Sequence, residues 1–287
     1  MRRIHMRFPE GKGKALTLSY DDGVEQDQRL IEVMKKNGLK GTFNINSGLY
    51  ASPGMKYNPG NVHRRMSLED CRKVYLNSGM EIACHTWTHA LGERLSSCLN
   101  MQQIVKDREN LESQYDCTVR GLAYPGGQYN DEVIEIMRYA GIVYGRTVCS
   151  AHDFRLPTDW YHMSPTCHHN DPQLMEFAEK FVEISVLYDS VLFLLWGHSY
   201  EFEENDNWEV IEQFADYMGG RNDIWYATNI QIYDYVHAFD NLIFHIDGKS
   251  VYNPSAMEIF LEADGELFCI SPGQEKALTY AAYDKRR

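Results

Sequence analysis

The stretch ALTLSYDDGVEQDQRLIEVMKKNGLKGTFNIN, residues 15–46, predicts the fold class of this 287-residue chain. The apolar run at 15–20 is typical of a buried strand. Residues 27–38 have the period of an amphipathic helix that ends at a glycine, and residues 41–46 read as the next strand. Because a strand, a helix and a second strand in this order build a parallel sheet, we expect an α/β protein.

The alternation of strands and helices continues to about residue 240. Further strands are expected at 80–84, 120–124, 142–148, 190–196 and 224–228. The segments that read as helices are 67–79, 101–115, 131–140, 173–183, 208–218 and 230–238, and residues 149–172 are expected to be irregular. Beyond residue 241 two Asp-Gly pairs between apolar segments predict β-hairpins. We therefore predict a main domain over residues 1–240 and a small antiparallel β appendage over residues 241–287.

Composition excludes several classes of function. The net charge of −13, from 28 basic and 41 acidic residues, argues against a nucleic-acid partner. No apolar run has the length of a membrane span, so no membrane partner is expected. Seven cysteines without a CxxC pair do not suggest a disulfide framework. The opening MRRIHMRFPEGKGK lacks the apolar segment of a secretory signal, so we expect a cytoplasmic protein, unless a leader has been removed.

Polar residues follow four of the predicted strands. Asp21 and Asp22 follow the first strand, the run HTWTH from His85 to His89 follows another, and YPGG and His198 follow two more. In parallel barrels the functional groups gather at the carboxyl ends of the strands, so these four segments are expected to converge. Their convergence predicts an active site.

The spacing of two histidines suggests a metal site. His85 and His89 are four residues apart, so one helical turn would bring both imidazoles to one ion. Asp21 or Asp22 could supply a carboxylate, and two histidines with one carboxylate leave open positions, as in catalytic metal sites. The alternatives are a simple turn for Asp-Asp-Gly and core packing for the histidines.

The segments SYDDG, HTWTH, LAYPGG and LLWGHS, in this order, resemble the motifs of the NodB-homology polysaccharide deacetylases, carbohydrate esterase family four. The resemblance covers about residues 14–235. It implies a distorted (β/α)7 barrel and metal-dependent removal of acetyl groups from N-acetylated or O-acetylated carbohydrate. It also implies a divalent metal, with zinc expected and cobalt, nickel or iron(II) as alternatives.

The resemblance assigns roles to individual residues. Asp21 would be the catalytic base, and Asp22, His85 and His89 the metal ligands. His198 would be the general acid that protonates the departing amine. The sequence leaves the oligomeric state and the identity of the sugar open.

The resemblance implies two further roles, and at one position this sequence departs from the family pattern. The backbone N–H of Tyr124 would stabilise the oxyanion. Ala123 occupies the position where the family usually has an arginine, so either another segment orients the catalytic base or the substrate differs. Asp159, in an Asp-Trp pair, would brace the catalytic histidine, with Asp153 as the competing candidate.

Several other side chains near these motifs could contact substrate. Trp87, Trp160 and Trp196 could stack on sugar rings, or could serve packing alone. His168 and His169 could be substrate contacts or polar loop residues.

Two other functions remain open at this stage. One is a C–N hydrolase acting on a small cytosolic amide or ureide. The other is a sugar-binding barrel without catalysis. Bound metal and acetate release distinguish the three.

Overall fold

The computed structural model describes residues 3–278, so the end of the predicted appendage, residues 279–287, lies outside the described residues. Within residues 3–278 the strands are β1 (Ile4–Arg7), β2 (Lys14–Asp21), β3 (Gly41–Ile45), β4 (Glu81–Cys84), β5 (Gly121–Ala123), β6 (Tyr144–Arg146), β7 (Cys167–His168), β8 (Val191–Gly197), β9 (Ile224–Tyr226), β10 (Ile243–Phe244), β11 (Ser250–Tyr252), β12 (Ile259–Ala263), β13 (Glu266–Ile270) and β14 (Glu275–Ala277). The α-helices are α1 (Asp27–Lys36), α2 (Leu68–Tyr75), α3 (Ser97–Tyr115), α4 (Asp131–Tyr139), α5 (Leu174–Glu183), α6 (Tyr200–Glu204), α7 (Trp208–Met218) and α8 (Asn229–Asp240). Among the described residues, none of these helices is long and apolar enough to cross a membrane.

A parallel sheet with the order β6-β5-β4-β3-β2-β8-β7 forms the body of the molecule. Strands β9 and β3 both pair with β2. Strand β9 pairs with its first half, and β3 pairs with its second half. The chain from Met163 to His168 joins the two ends of this order, because Met163 bridges to Arg146 of β6 and His168 pairs with Trp196 of β8. The predicted distorted (β/α)7 barrel is confirmed. Strand β7 differs from the prediction, because it lies within residues 149–172, which were expected to be irregular.

The helices form where the sequence has apolar faces and caps. Helix α1 buries Leu30, Ile31 and Met34, which share one face. Helix α2 begins at Ser67, whose side chain accepts a hydrogen bond from the backbone N–H of Asp70. Such helices connect consecutive parallel strands, and so all carboxyl ends of the barrel strands lie on one rim.

Two small antiparallel sheets accompany the barrel, as predicted for the end of the chain. Strands β12 and β13 form a hairpin, and β11 pairs with both β10 and β14. The N-terminal β1 pairs with β12, a contact across more than 250 residues for which the sequence gives no local signal. Tyr235 of α8 ties this sheet to the main body, since its hydroxyl donates to the Arg7 carbonyl and accepts from the Phe260 N–H.

Candidate active site and metal centre

The polar residues that follow the strands do meet at one rim of the barrel. Asp21 ends β2 and Asp22 follows it, His85 directly follows β4, and His198 directly follows β8. The carboxylate of Asp21 lies 3.8 Å from the Nε2 atoms of both His85 and His198. Groups separated by up to about 180 positions in the sequence therefore share one small polar site.

Two of the proposed ligand residues have unusual backbone conformations. Asp22 has φ of 85° and His89 has φ of 55°, where residues other than glycine are uncommon. The Asp22 N–H donates to the Asn44 carbonyl at 3.0 Å, which holds this turn at the end of β2. Backbone strain of this kind persists where surrounding contacts fix it, often at functional sites.

The side chains of Asp22, His85 and His89 form a possible cation site. Their ligand atoms all lie within 4.8 Å of one another. Asp22 Oδ1 is 4.0 Å from His85 Nε2 and 3.9 Å from His89 Nε2. One carboxylate and two imidazoles are a donor set that suits zinc and leaves positions for water and substrate.

The environment of His85 supports this assignment. Its Nδ1–H donates to the Ala123 carbonyl at 2.8 Å, so Nε2 carries the lone pair, as in a metal-ligating histidine. This Nε2 is buried and has no hydrogen-bond partner within residues 3–278. Burial lowers the pKa of His85 to about 4, which keeps the imidazole neutral near pH 7. A buried lone pair aimed at a carboxylate fits a cation between the two.

Asp22 is ionised in this site. Burial alone would raise its pKa, but a hydrogen bond from His63 and the nearby charge of Arg65 outweigh burial and hold the pKa well below the usual range. His63 lies on the long loop of residues 47–66, and its Nε2 is 3.1 Å from Asp22 Oδ2. The sequence offered no sign of this contact, because loop contacts have no periodicity.

Asp21 is held by a different set of partners. Its Oδ1 pairs with the guanidinium of Arg146 and accepts from Asn44 Nδ2 at 2.9 Å. Arg146 ends β6, is fully buried, and stacks over Trp196 at 4.8 Å. Burial would raise the pKa of Asp21, but the charges of Arg146 and His198 lower it overall. Arg146 is thus the arginine that Ala123 does not supply, and it comes from the next strand along the sheet.

The carboxylate beside His198 is Glu201, three residues further along the chain. His198 Nδ1 is 3.1 Å from Glu201 Oε1, which leaves Nε2 directed at Asp21. Burial lowers the pKa of His198, but the hydrogen bond to Glu201 and the charge of Asp21 outweigh burial and raise the pKa. His198 therefore retains its proton to a higher pH than an ordinary histidine.

The prediction that Asp159 braces His198 is corrected by these contacts. Asp159 caps a short 3-10 helix and bonds His162 Nδ1 at 2.6 Å. Asp153, the competing candidate, pairs with Arg155 on the surface. Both acids lie in a long irregular segment whose path the sequence does not reveal, whereas Glu201 is near His198 because one helical turn separates them.

His168 and His169 also contact Glu201, with their Nε2 atoms at 3.1 and 3.0 Å from its Oε2. His169 is buried and stacks between Tyr20 and Phe202, so it is a packing residue. His168 Nδ1 accepts from the Asn170 N–H, so its Nε2 carries a proton that it donates to Glu201. For this reason the group of His168, His198 and Glu201, although closely spaced, is a hydrogen-bond network rather than a cation site.

The expected oxyanion contact is also corrected. The backbone N–H of Tyr124 donates to the Arg146 carbonyl at 3.1 Å as part of the sheet, so it is not free for a ligand. The Tyr124 side chain is buried, and its hydroxyl donates to the Tyr161 carbonyl. The sequence could not show this, because the pairing of β5 with β6 is a tertiary contact without a local signal.

The three tryptophans have different surroundings. Trp196 lies beside His198, with ring centroids 5.8 Å apart, and is the tryptophan placed at the site. Trp87 lies between the two histidine ligands in sequence and is partly exposed. Trp160 is buried against Tyr233, which fits packing rather than sugar contact.

Comparisons with known proteins agree with this geometry. Residues 9–145 match the family model for polysaccharide deacetylases, and these residues include both acids of SYDDG and both histidines of HTWTH. His198 and Arg146 lie beyond the matched residues. Comparison with curated protein sequences gave no match.

Solved structures share the fold at low sequence identity. A putative polysaccharide deacetylase from Mycobacterium smegmatis is 15% identical with a TM-score of 0.57, over 81% of this chain and 93% of that chain. The Xyl-CE4 domain of a multidomain xylanase from the hindgut metagenome of Trinervitermes trinervoides is 13% identical with a TM-score of 0.50, over 78% of this chain and 92% of that one. The match to Streptococcus pyogenes deacetylase PplD in complex with acetate is partial, with 22% identity and a TM-score of 0.41. It covers 46% of this chain and 55% of that chain.

The structures with TM-scores of 0.57 and 0.50 show the fold, and the family model matches the segment that carries the two acids and the two histidines. The chain is thus similar to polysaccharide deacetylases in sequence over residues 9–145, and it shares the fold of the Mycobacterium smegmatis structure.

Proposed function

We propose that the protein is a metal-dependent hydrolase that removes acetyl groups from an N-acetylated carbohydrate. The observation that carries the proposal is the position of Asp21 Oδ2, 3.8 Å from both His85 Nε2 and His198 Nε2. The other oxygen, Oδ1, is occupied by Arg146 and Asn44. One oxygen of an ionised carboxylate is thus free between the possible cation site and an acidic imidazole.

The cation would be held by Asp22, His85 and His89. A divalent cation bound there supplies Lewis-acid polarisation of the acetyl carbonyl and lowers the pKa of water. The neutral state of His85 and the ionised state of Asp22 are the states that a ligand requires. Zinc is the ion we propose from this donor set, with cobalt, nickel and iron(II) as alternatives.

Asp21 would act as the general base. Its pKa is lowered, so the carboxylate is ionised near neutral pH and can take a proton from the attacking water. Arg146 and Asn44 fix Oδ1, which orients Oδ2 and prevents rotation of the carboxylate. The Asp21 side chain is 2% exposed, so the proton transfer would occur away from bulk water.

His198 would act as the general acid. Its Nε2 faces Asp21, and its raised pKa keeps the imidazole protonated over a wider pH range. When the C–N bond breaks, the nitrogen takes the Nε2 proton and leaves as a neutral amine, because an amide anion is a very poor leaving group. The products are acetate and the free amino sugar, and the proton held by Asp21 returns to solvent.

Trp87 is the side chain that we propose for contact with the sugar. It is partly exposed beside the ligand histidines, whereas Trp196 is buried with Arg146 over its ring. Aromatic faces of this kind stack on the apolar faces of sugar rings.

Acetate release tests the proposal. The zinc-loaded protein, the chelated protein and Asp21→Asn are each incubated with N-acetylglucosamine oligomers, peptidoglycan fragments and acetylated xylan. We expect acetate only from the zinc-loaded wild-type protein and with at least one of these substrates. Absence of acetate with all of them, while one equivalent of cation is bound, would favour hydrolysis of a small amide or ureide instead.

A further inference from the structure

Arg65 makes an unusual set of contacts with one of the proposed cation ligands. Its Nη1 donates to the backbone carbonyl of Asp22 at 2.6 Å, and its Nη2 donates to Asp22 Oδ1 at 2.9 Å. A single guanidinium thus binds both the main chain and the carboxylate of one residue. The Arg65 side chain is only 16% exposed, so solvent competes little for these bonds.

Asn46 continues this set of bonds to the second ligand segment. Its Oδ1 accepts from Arg65 Nη1 at 2.9 Å. Its Nδ2 donates to the carbonyls of His85 and Thr86, the latter at 2.9 Å. Asn46 is 1% exposed and directly follows β3, the strand between those that carry the two ligand segments. We call Arg65 and Asn46 together the bracket.

The conformation of Asp22 explains why such a bracket is needed. The residue has φ of 85°, which a non-glycine residue adopts only when its surroundings hold it there. The bond from Arg65 to the Asp22 carbonyl holds the peptide group, and the bond to Oδ1 holds the side chain. Each carboxylate oxygen has two lone pairs, so Oδ1 retains one for a cation while Arg65 uses the other.

We propose that Arg65, acting with Asn46, is a positioning residue that holds the cation ligands in their binding arrangement before the cation arrives. The inference rests on the proposed function, since it concerns the same site. It assigns a role to the loop of residues 47–66, which the sequence motifs leave without one.

Arg65 also has an electrostatic effect, which opposes its effect on ligand position. Its positive charge lies close to Asp22 and would repel a divalent cation. The stabilisation of the ligand arrangement by Arg65 outweighs this repulsion, so removal of the guanidinium weakens cation binding. If repulsion dominated, the same change would strengthen binding, and the two signs can be distinguished by experiment.

The test measures the affinity of the full-length protein for Co²⁺ by absorption titration. Arg65→Met removes the charge and the donors, and Arg65→Lys retains the charge but lacks the fork that reaches two acceptors. The matched control is Arg64→Met, because Arg64 pairs with Glu25 and Glu203 rather than with a ligand. Circular dichroism of the cation-free proteins verifies that each variant is folded.

We expect both Arg65 variants to bind Co²⁺ about 10- to 100-fold more weakly than wild type, as for other residues that orient metal ligands. The Arg64 variant should bind like wild type. Should Arg65→Met not fold, Arg65→Lys alone decides the outcome, because it retains the charge. Unchanged or tighter binding by the folded Arg65 variants would overturn the inference and leave the proposed function intact. Failure of the wild-type protein to bind Co²⁺ would overturn both.

Discussion

Replacement of Glu201 by glutamine tests the assignment of the general acid. Glu201 accepts a hydrogen bond from His198 Nδ1 at 3.1 Å, and both side chains are about one fifth exposed, 18% and 20%. A hydrogen bond to a charged partner contributes about 1.5–3 kcal/mol. Glutamine retains the shape but loses the negative charge that stabilises the imidazolium. The protonation constant of His198 should therefore fall about 10- to 100-fold.

The sign of the pH effect follows from the role of His198. The raised pKa of His198 means that the acid is protonated below that pKa and is lost as the pH rises through it. Glu201→Gln lowers this pKa, so the alkaline limb of the kcat profile should move by about one to two pH units toward lower pH. Turnover well below the new limb should be retained in large part.

Two measurements verify this. Histidine NMR titration follows the His198 ring without any substrate, and the pH dependence of acetate release follows its role in turnover. The matched control is Glu203→Gln. Glu203 lies on the same short helix, but it pairs with Arg64 and not with His198. An unmoved His198 titration in Glu201→Gln, or an equal shift in the control, would refute the reasoning.

Four other substitutions, the first with a surface control, give distinct outcomes. Arg146→Met should lower the free energy of unfolding, measured in urea, by about 3–5 kcal/mol, because it leaves the buried Asp21 carboxylate without its charged partner. The control Arg155→Met, on the surface, should change this free energy by less than about 1 kcal/mol. Equal effects of the two substitutions would contradict the buried ion pair. Asp21→Asn, verified as folded, should retain the cation by elemental analysis but release no acetate, and loss of the cation would identify Asp21 as a ligand. His85→Ala should lose cation binding, and retained binding would exclude it as a ligand. His198→Ala should slow amide hydrolysis far more than hydrolysis of activated aryl acetates, and equal losses would argue against a general acid.

The fold could be predicted largely from periodicity. The apolar run ending at Tyr20 and the amphipathic helix after it are local signals, and their repetition specifies parallel order. Strand β7 could not be found, because its two residues are too few for a pattern. The pairing of β1 with β12 joins opposite ends of the chain, and no local feature of residues 4–7 indicates it.

The candidate site divides in the same way. Residues directly after a strand, such as Asp22, His85 and His198, could be assigned because the barrel places all such residues on one rim. Arg146 has one local signal, since it is a charged residue near the end of the predicted strand at 142–148. Arg65 has none, since it reaches the site from a long loop.

The partners of the catalytic groups were the hardest to predict. The Asp-Trp pair predicts Asp159 as the partner of His198, yet the path of residues 149–172 brings Asp159 to His162. Glu201 could have been found from its spacing, three residues after His198 at the start of a helix. Hydrogen-bond partners depend on tertiary distances, and sequence spacing reveals them only within one helical turn.

The central claim is that one divalent cation binds between Asp22, His85 and His89, and that Asp21 is not one of its ligands. Anomalous diffraction from crystals of the protein grown with zinc or cobalt tests it most directly. The account predicts a single strong anomalous peak in contact with these three side chains and out of bonding distance of both Asp21 oxygens. A peak bound to Asp21, or no peak at this rim of the barrel at saturating metal, would contradict the account.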